Sequence, residues 1–520
     1  MSRPTSAAEI TRRTALGTLA GAAAGAALPA TGRAARPAAG GAAGPTVTVD
    51  PAPTHALSPH LYMQFMEPLG TNDSSVEASW DHLNDRWRPD LVEATKALAP
   101  GMMRWGGIFC DYYRWREGVG PRSGRVPMHN LLWGGIESNQ VGTAEFVDFS
   151  RQVGADPLIC VNFESDGRER FMRAKGSIRT AGPAEAADWV AYCNAPRHPE
   201  RLAHGAAEPY GVTYWQIGNE TSYDRRGFDL ETAARKTAEF ADAMRTADPS
   251  IRLIGWGDSG WAPRMAEVAG DRLDYLAFHQ MFDPDDPDEP TLRGELYRRD
   301  PAATWEVLMR AWELNDRKIR EVREQTPDGL PLAMTECHFA IPGNNRNDVL
   351  RTWAAGVSYA RILNNHQRHG DVLKIATAAD FAGTRWTVNA VLMGTHPDRT
   401  FLMPVALVMK QFRAYLGERA VRVAAAPDGL DVVASRTGDT FYLNFVNVRR
   451  DRPATTNLAI EGRTVLSAKG ELLADDPTTE ISSLNCREVM QTRAVAFDPG
   501  AAVEVPAAGV MSLALETAPA

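Results

Sequence analysis

The stretch VTYWQIGNE, residues 212–220, joins a run of strand-forming residues to an abrupt polar end. Valine, tyrosine, tryptophan and isoleucine favour a pleated, buried strand. Gly218 then interrupts the apolar run, and Asn219 and Glu220 place a carboxamide beside a carboxylate where the strand ends. This pattern predicts a core strand whose last residues belong to a functional site.

Seven other apolar runs resemble this one, and helix-like segments separate most of them. The eight predicted strands are residues 60–67, 101–107, 156–164, 212–220, 250–258, 273–281, 330–336 and 372–380. Strand and helix alternating eight times predicts an α/β fold with a parallel sheet closed into a (β/α)8 TIM barrel. An open doubly wound sheet is the alternative, but no glycine-rich phosphate fingerprint follows any of the runs.

The pattern changes after residue 410, where short strand candidates follow one another between turn signals. Such a succession predicts an antiparallel β-sandwich. We therefore expect a signal peptide and linker at 1–45, a catalytic barrel at 46–410 and a β-sandwich domain at 411–520. Residues 46–56 precede the first barrel strand and can instead join the sandwich.

The N-terminal segment predicts export of the protein. Arg12 and Arg13 directly precede an Ala/Gly/Leu stretch that carries no charge before Arg33. A twin arginine ahead of a weakly apolar segment resembles a Tat-type signal, which is removed after export. The apolar run is shorter than a membrane span, so we expect a secreted, extracellular protein without a membrane anchor.

Composition narrows the classes of partner and cofactor. The net charge of −9 argues against nucleic acid, whose binding proteins usually carry a basic stripe. The five cysteines show neither a CxxC pair nor the spacing of a metal site. We therefore predict no metal and no cofactor, and no dependence on disulfides.

Ionisable residues end six of the predicted barrel strands. They are Glu67, Glu164, Glu220, His279, Glu336 and Asp380. The C-terminal ends of barrel strands surround the active site in this fold, so these side chains are candidates for one site. Each of them, taken alone, could also be a solvated strand terminus or a member of a structural ion pair.

Glu220 and Glu336 are the strongest candidates for catalysis. They end the fourth and seventh predicted strands, which lie on opposing sides of a small barrel mouth. Two carboxylates that face each other across a gap of about 5 Å suit a retaining glycosidase, in which one is the nucleophile and the other the proton donor. The environment must then separate their pKa values.

Several motifs resemble segments of α-L-arabinofuranosidases of glycoside hydrolase family 51, in clan A. The most specific is EPYGVTYWQIGNE at 208–220, and HNLLWGGIESNQVGTAEF at 129–146 precedes it. Further matching segments lie at 112–122, 155–167 and 186–194. The resemblance runs from about residue 57 to 410 and implies a barrel enzyme that releases terminal furanosyl residues from oligo- or polysaccharide side chains. Related enzymes are often oligomeric, so it leaves a homo-oligomer open.

The resemblance also implies roles for individual residues. Glu220 matches the acid/base, and Asn219 matches the residue that hydrogen-bonds the sugar 2-hydroxyl. Glu336, in MTECHFA, matches the nucleophile. Glu67 matches a glutamate that contacts the terminal sugar, and His279 matches a histidine near the nucleophile.

This chain departs from the family pattern at three places around the expected sugar pocket. The family usually reads Pro-Gly-Gly-Asn after strand two, where this chain has RWGGIFCD with Ile108 in place of the asparagine. Gln280 and Met281 follow His279 where aromatic residues are usual, and Cys337 stands in place of a tryptophan. His338, two residues beyond Glu336, is a candidate for sugar binding in this altered pocket.

Four tryptophans are candidates for stacking against a sugar ring, namely Trp105, Trp133, Trp215 and Trp386. Trp133 is the preferred platform, whereas Trp215 lies inside a strand and suits the core. Alternatives to arabinofuranoside hydrolysis are another furanosidase such as a galactofuranosidase, an endo-β-glucanase or xylanase of the same clan, and a non-catalytic carbohydrate-binding barrel. As a structural alternative, Glu67 could pair with Arg104.

Overall fold

Eight parallel strands form the sheet at the centre of the molecule. A computed structural model describes residues 44–69, 76–343 and 345–520. In chain order, barrel strands one to eight are Gln64–Met66, Met102–Trp105, Asp156–Val161, Tyr214–Ile217, Arg252–Trp256, Tyr275–Phe282, Leu332–Phe339 and Leu373–Ala376. Each strand pairs in parallel with the next along the chain. The predicted (β/α)8 fold and all eight predicted strands are therefore confirmed.

The two edges of this sheet meet and close the barrel. The Met63 N–H, just before strand one, donates a hydrogen bond to the Ala376 carbonyl of strand eight, at 2.9 Å. Small and medium apolar side chains from strands around the barrel, among them Met102, Leu158 and Ala333, form a separate buried cluster. The barrel interior is thus packed with side chains, so a ligand can enter only at its ends.

A helix follows every barrel strand, as the alternating sequence pattern requires. The principal helices are Pro89–Leu98, Thr143–Val153, Pro183–Asn194, Leu230–Ala247, Ala262–Ala269, Pro301–Arg310 with Trp312–Gln325, Trp353–Arg368 and Pro404–Ala414. Shorter helices span Glu169–Met172, Pro199–Ala203 and Leu296–Arg299. Proline at the first turn of several of them costs no hydrogen bond there and presets the helical backbone.

The second layer of structure is a nine-stranded, mostly antiparallel sheet. Its strands are Thr46–Ala56, Arg419–Ala425, Leu430–Thr437, Thr440–Asn447, Ala454–Ile460, Arg463–Leu473, Arg493–Phe497, Val503–Val505 and Val510–Pro519. Alternate residues such as Phe441, Leu443 and Phe445 are fully buried in its core. Strand Thr46–Ala56 pairs with Arg419–Ala425 and with Ala454–Ile460, so the segment before the barrel is part of this sandwich.

Side chains from the barrel helices tie the sandwich to the barrel. The indole of Trp353 donates to the Ala508 carbonyl at 2.8 Å, and that of Trp305 donates to the Val448 carbonyl at 3.1 Å. Arg361 also pairs with Asp431 of the sandwich. Within the part of the chain that the structure describes, no helix combines the length and apolar character needed to cross a bilayer. The predicted signal lies almost wholly at residues 1–43, outside the described residues.

Candidate active site

Glu220 lies in a tight turn just beyond barrel strand four. The strand ends at Ile217, earlier than predicted, and Gly218 has a positive φ of 81°. Glu220 itself adopts the left-handed region with φ 55°, which is uncommon for a residue with a side chain. Such strain is kept where the surrounding structure over-determines it, and it often marks a functional site. The turn directs the end of the motif towards the mouth of the barrel.

Glu336 lies within barrel strand seven, beside an irregularity in the pairing with strand six. Phe278 pairs with Met334, but His279 pairs with Glu336, so Thr335 is the additional residue of a β-bulge. His279 Nδ1 lies 3.1 Å from Glu220 Oε1, and its Nε2 lies 3.0 Å from Thr335 Oγ1. The bulge therefore sets the histidine between the two candidate carboxylates.

The structure brings Glu220 and Glu336 together, as the sequence predicts. A carboxylate oxygen of each, with a ring nitrogen of His279, form a group in which all atoms lie within 4.8 Å of one another. His279 Nε2 is 3.7 Å from Glu336 Oε1. The separation of the two carboxylates matches the spacing of a retaining pair.

Arg104, fully buried in barrel strand two, connects three strands beneath this pair. Its guanidinium donates to Glu336 Oε1 at 2.9 Å, to Asn219 Oδ1 at 2.6 Å and to Gln216 Oε1 at 2.9 Å. The Asn219 amide is thereby oriented, and its Nδ2 is buried without a hydrogen-bond partner among the described residues. An orphaned donor at this position is free for a ligand hydroxyl.

Burial raises the pKa of both carboxyl groups, but their neighbours differ. For Glu220 the charges of Arg168 and Arg104 oppose that rise in pKa. For Glu336, burial is opposed by His279 where that imidazole is protonated and by the charge of Arg104, which also donates a direct hydrogen bond. Burial lowers the pKa of His279 to about 4, so its ring is neutral at physiological pH.

A second buried arginine holds the turn that carries Glu220. Arg168 donates to Asp111 at 3.0 Å and, through its other nitrogen, to the carbonyl oxygen of Glu220. The next residue, Thr221, donates its hydroxyl to Asp166. Leaving a buried guanidinium without its acceptors costs several kcal/mol, so Arg168 holds the Glu220 carbonyl in place. This contact stabilises the left-handed backbone at Glu220.

Glu67 lies at the end of barrel strand one and lines the same cleft. Its Oε1 accepts a hydrogen bond from the Phe109 N–H at 3.4 Å. Burial raises the pKa of the Glu67 carboxyl well above its usual value, and the nearby charge of Glu336 raises it further. A Cβ added at Gly107 would lie 2.2 Å from the Glu67 carboxyl carbon. Gly107 therefore leaves the space that Glu67 occupies.

His338 and Asp380 form a dyad on the other side of Glu336. The His338 Nδ1 lies 2.7 Å from Asp380 Oδ1. Burial alone would lower the pKa of His338, but the charge and hydrogen bond of Asp380 raise it overall. Ile108 and Met281, two of the departures from the family pattern, line the cleft with them. Gln280 and Cys337, the other two departures, are not part of the cleft lining.

The cleft has a volume of about 510 Å³ and an aromatic rim. Trp133 is 46% exposed, and its ring meets that of Trp386 edge to face at 5.3 Å. Trp105 and Trp215 are buried in the barrel wall, away from the cleft lining. Among the four tryptophans considered, Trp133 and Trp386 are therefore the pair available to a ligand.

Glu220, His279 and Glu336 are also the group among the described residues with the spacing of metal ligands. Arg104 donates to the same Glu336 oxygen that faces His279, at 2.9 Å. A guanidinium at that distance repels a cation placed between the three side chains. The donor set therefore suits a proton-transfer pair better than a metal centre.

Not every predicted strand-end carboxylate belongs to this site. Glu164 pairs with Lys236 at 2.7 Å and does not line the cleft. Conversely, Arg104 and Arg168 were not among the predicted site residues. Arg104 lies inside an apolar run, where a charged residue needs a partner, and that was the available signal for it. Nothing in the spacing of Arg168 indicates that it reaches the Glu220 carbonyl.

Comparison with known proteins adds independent information on the family. Residues 94–299 match the model of the Alpha-L-arabinofuranosidase 1 domain. A probable α-L-arabinofuranosidase C of Aspergillus terreus is 33% identical over 216 residues, which cover 40% of each chain. An intracellular exo-α-(1→5)-L-arabinofuranosidase of Acetivibrio thermocellus is 30% identical over 246 residues, covering 43% of this chain and 45% of the relative. The matches thus span less than half the length of these relatives.

Similarity to solved structures extends over most of the chain. The family 51 arabinofuranosidase of Xanthomonas axonopodis pv. citri superimposes with a TM-score of 0.72, covering 90% of this chain and 99% of that one at 24% identity. At that identity the superposition shows the shared fold, with barrel and sandwich in one arrangement. The chain is thus similar in sequence to α-L-arabinofuranosidases over part of its length, and it shares the fold of a family 51 arabinofuranosidase over most of its length.

Proposed function

We propose that the protein is a retaining glycoside hydrolase that releases terminal α-L-arabinofuranosyl residues from carbohydrate side chains. The observation that carries the proposal is the pair of Glu220 and Glu336, whose oxygens lie within 4.8 Å of each other at the mouth of the barrel. Two carboxylates at this spacing leave no room for a water between one of them and the sugar, as inversion would need. Double displacement then follows.

In the first step, Glu336 attacks the anomeric carbon while Glu220 protonates the leaving oxygen. The contacts support this division of roles, because Glu336 accepts a hydrogen bond from Arg104 that favours its ionised form. The Glu220 carboxylate accepts no direct hydrogen bond from either arginine, and burial raises its pKa towards that of a proton donor. The C–O bond to the leaving group breaks as the glycosyl–Glu336 ester forms.

In the second step, Glu220 is ionised and removes a proton from the incoming water. The water attacks the anomeric carbon, the ester to Glu336 breaks, and the sugar leaves with its original configuration. Asn219 and Glu67 are placed to hold hydroxyl groups of the sugar during both steps. The Asn219 amide has an unpaired donor, and Glu67 lines the cleft beside Glu336.

A panel of nitrophenyl glycosides tests this function, with α-L-arabinofuranoside beside β-D-galactofuranoside, β-D-xyloside and β-D-glucoside. We expect the highest kcat/KM on the arabinofuranoside, and proton NMR should show that the first-formed sugar keeps its anomeric configuration. Inversion at that carbon would contradict the mechanism. Turnover of the pyranosides alone would contradict the substrate class.

A galactofuranosidase is the second candidate, because of the cleft wall. Ile108 and Met281 line the cleft where the family usually carries polar and aromatic residues. A pocket with altered contacts can accept a different furanose without any change at Glu220 or Glu336. Preference for the galactofuranoside in the same panel would establish this alternative, and retention of configuration is expected with either sugar.

Export through a Tat-type signal is also part of the proposal. It is supported by Arg12 and Arg13 ahead of the uncharged stretch. Expression of the full chain in a Tat-competent host, with an Arg12→Lys/Arg13→Lys variant as control, tests it. Activity should move from the culture medium to the cytoplasm in the variant, whereas an unchanged distribution would contradict export by this route.

A further inference from the structure

Two arginines from the loops near Glu220, Arg170 and Arg226, form a basic rim at the cleft. Residues 168–179, which follow barrel strand three, contain Arg168, Arg170, Arg173, Lys175 and Arg179, with Glu169 as the single acidic residue. This composition contrasts with the net charge of −9 of the whole chain. Arg168 pairs with Asp111 and Arg179 pairs with Glu117, so Arg170 is the cation of this segment that lines the cleft without a buried acidic partner.

Two of these loop arginines are available to a ligand. Arg170 and Arg226 both line the cleft, and their side chains are 46% and 78% exposed. Both pair with one carboxylate, since Arg170 lies 3.1 Å and Arg226 lies 3.2 Å from Asp224. One acidic group shared by two guanidinium groups leaves one positive charge uncompensated at the rim.

The position of Arg170 and Arg226 indicates that they contact the leaving group rather than the terminal sugar. Arg226 and Asp224 lie in the loop that begins at Glu220, and the proton donor must stand beside the leaving oxygen. In the proposed reaction the terminal sugar lies beside Glu336, and Glu67 and His338 line the same cleft. A group bonded through the leaving oxygen therefore passes Arg170 and Arg226.

We propose that the leaving group bears a carboxylate, as a hexuronate residue of an acidic polysaccharide does, and that Arg170 and Arg226 bind it. A guanidinium offers a planar fork that matches a carboxylate. Asp224 pairs with both guanidinium groups and holds them beside each other. This inference rests on the proposed hydrolase function and specifies the class of polymer on which the enzyme acts.

Kinetics with two matched substrates test the inference. The substrates are furanosides of 4-hydroxybenzoate and 4-hydroxybenzamide, made with the furanose that the enzyme hydrolyses best. The carboxylate-to-carboxamide ratio of kcat/KM should fall about fivefold in Arg226→Gln and in Arg170→Gln, which corresponds to about 1 kcal/mol for an exposed charged contact. Comparing ratios between variants cancels the intrinsic reactivity of the two phenols.

Two further variants sharpen this test. Asp224→Asn frees both arginines, so the ratio should rise above that of the wild type. Arg264→Gln removes an exposed arginine that pairs with Glu231 and lies outside the cleft lining, so its ratio should stay unchanged. Added salt should reduce the preference of the wild type. Equal ratios in the wild type, Arg170→Gln and Arg226→Gln would overturn the inference.

A binding measurement separates this inference from the hydrolase function itself. NMR titration with methyl β-D-glucuronide and methyl β-D-glucoside needs no turnover. We expect tighter binding of the glucuronide by the wild type and loss of that difference in Arg226→Gln. Equal affinities for the two glycosides would overturn the role of the basic rim even if the furanosides are hydrolysed. Tighter binding of the glucuronide without any hydrolysis of furanosides would contradict the proposed function alone.

Discussion

Arg104 Nη1 lies 2.9 Å from Glu336 Oε1, in a site where the arginine is fully buried. The same guanidinium holds Asn219, so one side chain aligns Glu336 of strand seven, the proposed nucleophile, with the motif that follows strand four. The charge of Arg104 counteracts the rise in the pKa of Glu336 that burial causes. This contact favours the ionised form of Glu336, which the proposed attack on the sugar requires.

Replacing Arg104 should therefore disturb the pH profile as well as the rate. In Arg104→Met the pKa of Glu336 rises, because the charge that favours its ionised form is lost. The acidic limb of kcat/KM should move to higher pH, since a larger fraction of Glu336 is then protonated at any given acidic pH. We expect kcat to fall about 100-fold or more, as when a direct contact to a reacting group is lost.

The stability of this variant must be measured alongside its kinetics. Removing one partner of a buried ion pair costs about 3–5 kcal/mol of unfolding free energy. Arg104→Lys keeps the charge and should retain the acidic limb near its original position, with less loss of stability. A folded Arg104→Met enzyme with an unchanged acidic limb would contradict the role given to this contact.

Arg168 should act on Glu220 in the corresponding way. Its charge is the largest influence opposing the burial-induced rise in the pKa of Glu220. Arg168→Gln should raise that pKa further, so the basic limb of kcat/KM should move to higher pH, because Glu220 then keeps its proton longer. kcat should fall as well, since the Glu220 carbonyl loses its donor.

Arg168→Lys provides the control for this shift. A lysine keeps the positive charge but loses the fork that reaches both Asp111 and the Glu220 backbone. It should restore the basic limb while leaving part of the loss in kcat. A basic limb that does not move in Arg168→Gln would show that this arginine has a structural role alone.

Glu220→Gln tests the role of the proton donor directly. A glutamine cannot protonate the leaving oxygen, so hydrolysis of substrates with poor leaving groups should fall by about 10²–10⁴-fold. The first step on a substrate with a very good leaving group, such as 2,4-dinitrophenolate, should be nearly spared. Pre-steady-state release of the phenol measures that step. Equally severe losses on both substrates would contradict the assignment.

Gly107→Ala should displace Glu67. The added Cβ would lie 2.2 Å from the Glu67 carboxyl carbon, and the backbone there has a φ of 141° that residues with a side chain rarely adopt. We expect KM to rise or kcat to fall about tenfold and the unfolding free energy to drop by about 1–3 kcal/mol. Gly124→Ala is the matched control, because a Cβ there meets no atom within 4 Å. Wild-type kinetics in Gly107→Ala would contradict the placement of Glu67.

The barrel could be predicted because its signal is local and repeated. Near-continuous apolar runs such as 156–164 and 250–258 alternate with helical segments, and the structure confirms a strand within each run. The predicted ends were less accurate at the motif itself, where the strand stops at Ile217. Glu220 lies outside the strand because its backbone is left-handed, and Arg168 stabilises that turn through the Glu220 carbonyl. Arg168 is distant in the sequence, so the local pattern does not predict the strand end.

The sequence predicts those site residues whose ionisable side chains lie at the end of a barrel strand. Glu220 and Glu336 end predicted strands, and strand ends converge in a barrel. The bulge at Thr335 and the contact of Arg168 with the Glu220 carbonyl depend on residues distant in the sequence, and no local pattern encodes them. The sequence does not predict the basic rim, because Arg170 and Arg226 belong to different loops. Only the folded structure brings both of them to Asp224.

Trapping of the covalent intermediate tests the central claim most directly. A 2-deoxy-2-fluoro-α-L-arabinofuranosyl fluoride should inactivate the enzyme, because the fluorine slows hydrolysis of the glycosyl–enzyme more than its formation. Peptide mapping by mass spectrometry should then find the label on Glu336, within the peptide that contains residues 332–339. Label on Glu220, on Glu67 or on any other residue would contradict the account.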